Sequence, residues 1–223
     1  MEGRDPDGGA IAFFDLDGTL VIGQTQRLLV SFLRQRGMVS LRFVVGVALW
    51  FVAYRLGLVK ATDRARARGA ELVAGHRVGE IEALMDVFAV HVLQPRLHAG
   101  AVGALRLHQQ RGEEVVIVSA ALAPVVDALG RLLGVGNCEG TPLAVSGDVY
   151  TGLLAGRAVY GPEKVRVARE YLAARGVDAR RCSAYADHET DVELLEAVGV
   201  PVAVSPRPVL AAIARERGWR ILS

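Results

Sequence analysis

The chain has 223 residues, a formal net charge of +2 and a hydrophobic share of 52%. A chain of this kind can bury a sizeable core, in one large domain or a medium domain with a smaller partner, and wholesale disorder is excluded. So small a charge leaves no electrostatic footprint for nucleic acid.

The opening, MEGRDPDGGA, has charges but no apolar run, so no signal peptide is expected there and it reads as a short arm. Ala10–Phe14 reads as a buried strand that stops abruptly at Asp15 and Asp17, with Gly18 and Thr19 behind them. From Gln24 to about Gln94 every segment reads as helix: Gln24–Arg36, Ser40–Leu56, Thr62–Ala74 and Val78–Leu93, each closed by a glycine or a proline. Within this run, Phe43–Tyr54 (FVVGVALWFVAY) is apolar but shorter than the roughly 20 residues of a spanning helix. No integral membrane span is expected, and the helix around Trp50 reads as buried or interfacial, with peripheral membrane contact as the second reading. In the next helix Arg64 and Arg68 share a face, either as a solvated surface or as an attraction for an anionic substrate or headgroup.

Strand and helix alternate after that. Helix His98–Arg111 precedes strand Glu114–Val118; Pro124 opens a helix to Leu133; Thr141–Ser146 and Val149–Leu154 flank a Gly147-Asp148 turn as a hairpin. Helix Pro162–Arg175, strand Cys182–Ala186, helix Glu189–Val198, strand Pro201–Val204 and helix Pro208–Arg217 complete the chain. The simplest architecture is an α/β fold: an open, mostly parallel sheet with a helical insert after the first strand. Cys138 and Cys182 lie far apart without metal-ligand spacing and read as reduced core thiols, which points to the cytoplasm.

In open parallel sheets the binding site lies beyond the carboxyl ends of the strands. Asp15 and Asp17 stand at the first such end, Ser119 with Ala120 at the second, and Asp187 with Asp191 at a third. Clustered carboxylates repel each other and need a cation; oxygen ligands without a Cys/His set favour Mg²⁺. The sharp exit at Gly18-Thr19 is expected to expose backbone N–H groups to an anion. Lys164 falls in the first turn of a helix opened by Pro162, where the helix dipole disfavours a cation, so an anion or a carboxylate cluster is expected before it.

These residues, Asp15-Leu16-Asp17-Gly18-Thr19, Ser119, Lys164 after GPE, and Asp187 with Asp191, resemble the four ordered motifs of the haloacid dehalogenase-like hydrolases. The insert and the GTPLAVSGDVYTG hairpin resemble the branch, subfamily IB, that includes phosphoserine phosphatase. The resemblance implies a Rossmann-like core over residues 10–20 and 98–223 and a helical cap over 21–97. It implies a Mg²⁺-dependent phosphatase for a small phosphomonoester, acting as a monomer or dimer. Asp15 would be the nucleophile, Asp17 the general acid and base, and Lys164 a stabiliser of transition-state charge. Gly18, Thr19, Gln24, Ser119, Ala120 and Lys164 would bind substrate, Gln24 from the inner face of the cap; Asp15, Asp17, Asp187 and Asp191 would form the metal site. Alternatives sharing the aspartyl-phosphate are a phosphotransferase or mutase, or a lysophospholipid-type phosphatase at a membrane surface; a catalytically dead binding module is a third class. Two positions depart from the family pattern. Ala186-Asp187-His188 replaces the usual Gly-Asp start of the fourth motif, with His188 read as an exposed loop residue or else a substrate contact, and Gln24 stands where phosphoserine phosphatases carry a glutamate for the substrate ammonium.

Overall fold

A computed structural model of the chain describes residues 9–39 and 69–223. The expected helix Ser40–Leu56, most of Thr62–Ala74, Trp50 and the Arg64–Arg68 face lie outside the described residues.

The framework is a six-stranded, wholly parallel sheet in the order β3-β2-β1-β6-β7-β8. β1 (Ile11–Phe14) is an uninterrupted apolar run, buried at every position, as suits a strand covered on both faces. It pairs with β2 (Glu114–Leu122) on one side and β6 (Ser183–Ala186) on the other. From β1 the chain builds outwards through β2 to β3 (Asn137–Thr141), then returns to add β6, β7 (Val200–Val204) and β8 (Arg220–Leu222) on the opposite side. The strand order therefore reverses at β1, which puts the binding crevice at its carboxyl end.

One face of the sheet buries α1 (Thr25–Gln35), α2 (Val78–Phe88), α3 (Ala99–Gln110) and α4 (Ala123–Leu133) in a single apolar cluster. The other face carries α5 (Pro162–Arg175), α6 (Val192–Glu196) and α7 (Pro208–Glu216) over a second cluster around Ile11, Phe13 and Ala184. α5 starts with Pro162 at its first turn and ends at Gly176, whose φ of 64° is left-handed, a conformation that costs glycine little. The described helices of the insert are seated on the core: Asp86 of α2 accepts from Arg131 of α4 at 2.7 and 2.9 Å. The hairpin β4 (Leu143–Ser146) and β5 (Val149–Leu154) forms its own two-stranded sheet. Its turn reaches the insert, where the Arg77 guanidinium meets Asp148 at 2.7 Å. Among the described residues no helix is long and apolar enough to cross a membrane.

Several elements differ from the sequence reading. β3 and β8 were not expected, and Thr141 closes β3 instead of opening the hairpin. Both are edge strands, half solvated and so without the apolar run that marks β1. β2 continues past Val118 to Leu122, with a register shift against β3 between those residues; irregularities of this kind re-aim side chains next to active sites. The expected helix Val78–Leu93 is α-helical only to Phe88, then a π turn (Ala89–Leu93) and a 3₁₀ turn (Gln94–Arg96), where Pro95 has no N–H to extend the ladder.

Candidate active site

β1 delivers Asp15 to the sheet's carboxyl edge, and the Asp15 N–H donates to the Tyr185 carbonyl at 2.9 Å, carrying the β1–β6 ladder one residue further. Beneath it the Phe14 ring stacks on Tyr185 with centroids 4.2 Å apart. The Tyr185 hydroxyl in turn is hydrogen-bonded to His108 Nε2 at 2.8 Å. The strand end is thus fixed by packing before any ligand arrives.

Lys164 is only 3% exposed. Its Nζ donates to Asp15 Oδ1 at 2.6 Å and to Asp191 Oδ2 at 2.9 Å. Two carboxylates account for a lysine at a helix N-terminus, where the dipole opposes it. Burial works against its charge, but Asp15 and Asp191 more than offset it, so Lys164 is held above the usual lysine range.

Asp187 follows β6 and its carboxylate lies directly over Gly18. A Cβ on Gly18 would come within 2.2 Å of Asp187 Oδ2, and Gly18 has a φ of +81°, so both space and conformation require glycine there. This contact draws the fourth motif onto the first. Burial, then the neighbouring Asp15, push the Asp187 carboxyl up to about 7, with Arg207 pulling the other way. Arg207 sits with Nε 3.5 Å from Asp187 Oδ2, and its N–H donates to the Asp187 carbonyl at 2.9 Å.

Asp17 takes a different position. Its Oδ1 accepts from the Thr25 N–H at 2.6 Å. Gln24, at the N-cap of α1, makes no side-chain cap, so Asp17 satisfies an N-terminal donor of that helix from outside it. Burial raises its carboxyl to about 6; the Thr25 N–H lowers it and Asp15 raises it further. Ser119 is buried, and its Oγ accepts from the Ala121 N–H at 3.1 Å, leaving the O–H proton to donate. Asp17 and Ala120 border a cavity of about 210 Å³. Broader surface depressions of about 410 and 540 Å³ touch none of the motif residues.

Three expectations need correction. The Gly18 N–H donates to the Val21 carbonyl at 2.8 Å and the Thr19 N–H to Leu16 at 3.3 Å, so the turn closes on these donors instead of offering them to an anion. Gln24 is exposed and absent from the cavity wall, whereas Gln26, two residues on and about half a helical turn round, lines it. His188, read as an exposed loop residue, is half-buried and caps a short 3₁₀ turn by accepting from the Thr190 N–H at 3.2 Å. Thr25 and Arg207 were missed altogether. The poor capping residue Gln24 was a signal for the first; nothing in the sequence marked the second.

The cluster suits a hard cation. Asp15 and Asp187 are buried acids at adjacent strand ends, and Asp191 Oδ1 is buried without a partner. Burial and Asp15 hold Asp191, like Asp187, above the usual carboxylate range. No three of the described His, Cys, Asp and Glu side chains close into a ready-made cage. Mg²⁺ does not need one, since it binds through one or two carboxylates with the remaining positions held by water or phosphate oxygens.

The sequence pattern of the haloacid dehalogenase-like hydrolases matches residues 12–196. An inhibition of morphological differentiation protein of Streptomyces azureus is 34% identical over 95% of this chain and 77% of its own length. A phosphoserine phosphatase of Mycobacterium tuberculosis is 30% identical over 95% of this chain and 70% of its own. The solved structure of a Bordetella pertussis protein of unknown function superposes with a TM-score of 0.86 at 28% identity, over 97% of this chain and 99% of that one.

Proposed function

The chain belongs to the haloacid dehalogenase-like hydrolases, in the phosphoserine phosphatase-like branch, as a phosphomonoester hydrolase, and on that premise we propose that it works through an aspartyl-phosphate on Asp15. The observation that carries this reading is the pair of contacts from Lys164 to Asp15 and Asp191. They fix the rotation of the Asp15 carboxylate, so one oxygen is held while the other meets the phosphorus.

An Asp15 oxygen forms a bond to phosphorus and the ester P–O bond breaks. The leaving oxygen takes a proton from Asp17. Because the Thr25 N–H holds Asp17 Oδ1, the transferable proton resides on Oδ2. Water then attacks the acyl phosphate, Asp17 takes the water's proton, and inorganic phosphate leaves with Asp15 restored. Ser119 and Lys164 donate to phosphoryl oxygens, which carry the charge of a phosphoryl-transfer transition state. Asp15, Asp187 and the Asp17 carbonyl would hold Mg²⁺, with Asp191 keeping Lys164 in place. Bound there, Mg²⁺ supplies charge neutralisation for the carboxylates and the phosphoryl oxygens together. The core over residues 10–20 and 98–223 carries this chemistry, and the cap over 21–97 supplies contacts to the rest of the substrate.

The test is hydrolysis of a generic aryl phosphate with and without a divalent cation, in wild type and Asp15→Asn. Turnover should need the cation and fall by about 10⁴-fold or more in the variant, the scale seen when a nucleophile acting with its neighbours is removed. Retention of more than about a hundredth of the wild-type rate would exclude Asp15 as nucleophile.

A further inference from the structure

We propose that the substrate is the phosphomonoester of a small, uncharged, largely apolar alcohol, held in the cavity beside Asp17. This rests on the assignment of Asp17 as the acid that protonates the leaving oxygen, because the alcohol portion must then sit against Asp17. The cavity of about 210 Å³ begins at that residue.

Its wall is apolar. Leu29 of α1 and Leu72 of the insert face Leu122 and Val125, at the junction of β2 and α4, across it. All four are buried. Among the described lining residues the ionisable side chains are Asp17 and Tyr160 alone. Thr141 adds little polarity, because its Oγ1 already donates to the Ala120 carbonyl at 2.9 Å and accepts from the Val159 N–H at 3.2 Å. Thr25, Gln26 and Tyr160 add neutral polar groups to the wall, and none of them can neutralise an ion.

Phosphoserine and phosphoethanolamine carry an ammonium next to the scissile oxygen. Moved into this cavity, that charge would lose water and find, among the described lining residues, no carboxylate except the proton donor itself, which is strongly unfavourable. An alkyl group gains at the same place, at about 0.8 kcal/mol per buried methylene. Size sets the other bound. Sites for drug-sized ligands run from about 300 to 1,000 Å³, so a 210 Å³ cavity accommodates a short chain or a single ring.

The experiment compares kcat/KM for a soluble alkyl phosphate series from methyl to dodecyl, with phosphoserine, phosphoethanolamine and an aryl phosphate alongside. The value should rise by about fourfold per methylene over the first members, which is 0.8 kcal/mol each, and then level off. The two ammonium-bearing esters should fall at least about tenfold below neutral esters of equal size. Leu122→Ala should flatten the early rise and move the plateau to longer chains. Should that variant not fold, the wild-type series decides alone. A flat series, or phosphoserine as the best substrate, overturns the inference while leaving the phosphatase reading intact. Continued gain through to dodecyl phosphate, or preference for it in vesicles over hexyl phosphate in solution, overturns the small-alcohol limit in favour of a lipid. If even the aryl phosphate is untouched, the proposed function fails and this inference with it.

Discussion

The two sides of Asp17 could hardly differ more. On one, Asp15, Lys164, Asp187 and Asp191 form a sealed, charge-dense cluster held on strand ends and the first turn of α5. On the other, leucines and a valine from helices and the insert enclose a neutral space. The first side is fixed by strand ends and the first turn of α5, whose geometry tolerates little change; the second takes much of its apolar wall from α1, the insert and α4, beside the end of β2, and those helical parts can vary with less disturbance. A fold of this kind can keep one reaction and change its substrate by repacking the helical side alone.

The contrast can be broken from the charged side first. Asp17→Asn removes the proposed proton donor from the boundary itself and should lower kcat by about 10²–10⁴-fold for esters with poor leaving groups. The loss should shrink for an aryl phosphate whose phenolate leaves unaided; an equal loss for both would mean that Asp17 is not the acid. Next in size is Lys164→Met, which leaves Asp15 and Asp191 buried without their counter-charge. Breaking one side of a buried pair costs about 3–5 kcal/mol, read as a fall in unfolding free energy in denaturant without Mg²⁺. A loss below about 1 kcal/mol, the range of surface pairs, would show that the cluster is solvated.

A smaller effect sharpens the picture through pH. Burial holds Asp17 near 6 and Asp187 near 7, against 3.8 for a free carboxyl. The folded state therefore keeps its protons to higher pH than the unfolded chain. Its stability from these groups is greatest below the unfolded value of 3.8 and is lost as pH rises from there through the folded values. Above that window the ionised carboxyls are the ligands proposed for Mg²⁺, so the cation should raise Tm more at about pH 7.5 than at about pH 5.5. An equal rise at both would place the cation elsewhere. The smallest effect belongs to Gln24. Exposed and outside the cavity, it should accept glutamate with no change in relative kcat/KM between amine-bearing and neutral substrates. Gln26→Glu should shift that ratio towards the amines; a shift with Gln24→Glu instead would relocate the leaving-group pocket.

The sequence was most legible where one residue type had one physical reason. A buried strand ending in carboxylates, a lysine against a helix dipole and a proline opening a helix each pointed to Asp15, Lys164 and α5. It was least legible where the cause lay in another part of the chain. Asp191 reads as an acid near a metal, but only the folded chain places it on Lys164. Gln24 and Gln26 are indistinguishable by composition, and the rotation of α1 alone decides which meets the cavity. The Gly18-Thr19 donors look free in a linear reading because their acceptors, Val21 and Leu16, become available only through the fold of the turn. β3 and β8 escaped because an edge strand needs no continuous apolar run.

The central position of β1 also bears on how the molecule assembles. Ile11 pairs with Glu114 and Ala12 with Ser183, and Asp15 waits for a lysine 149 residues downstream. Non-local parallel pairing is slow, because the loop entropy is lost before the contacts are gained. During synthesis the strand bearing Asp15 emerges before both of its partners, and it has a neighbour on only one side until β6 has been made. Its IAFF run is an exposed apolar edge for that interval, open to pairing with other chains. Asp15 is therefore synthesised well before the strand and the lysine that hold it.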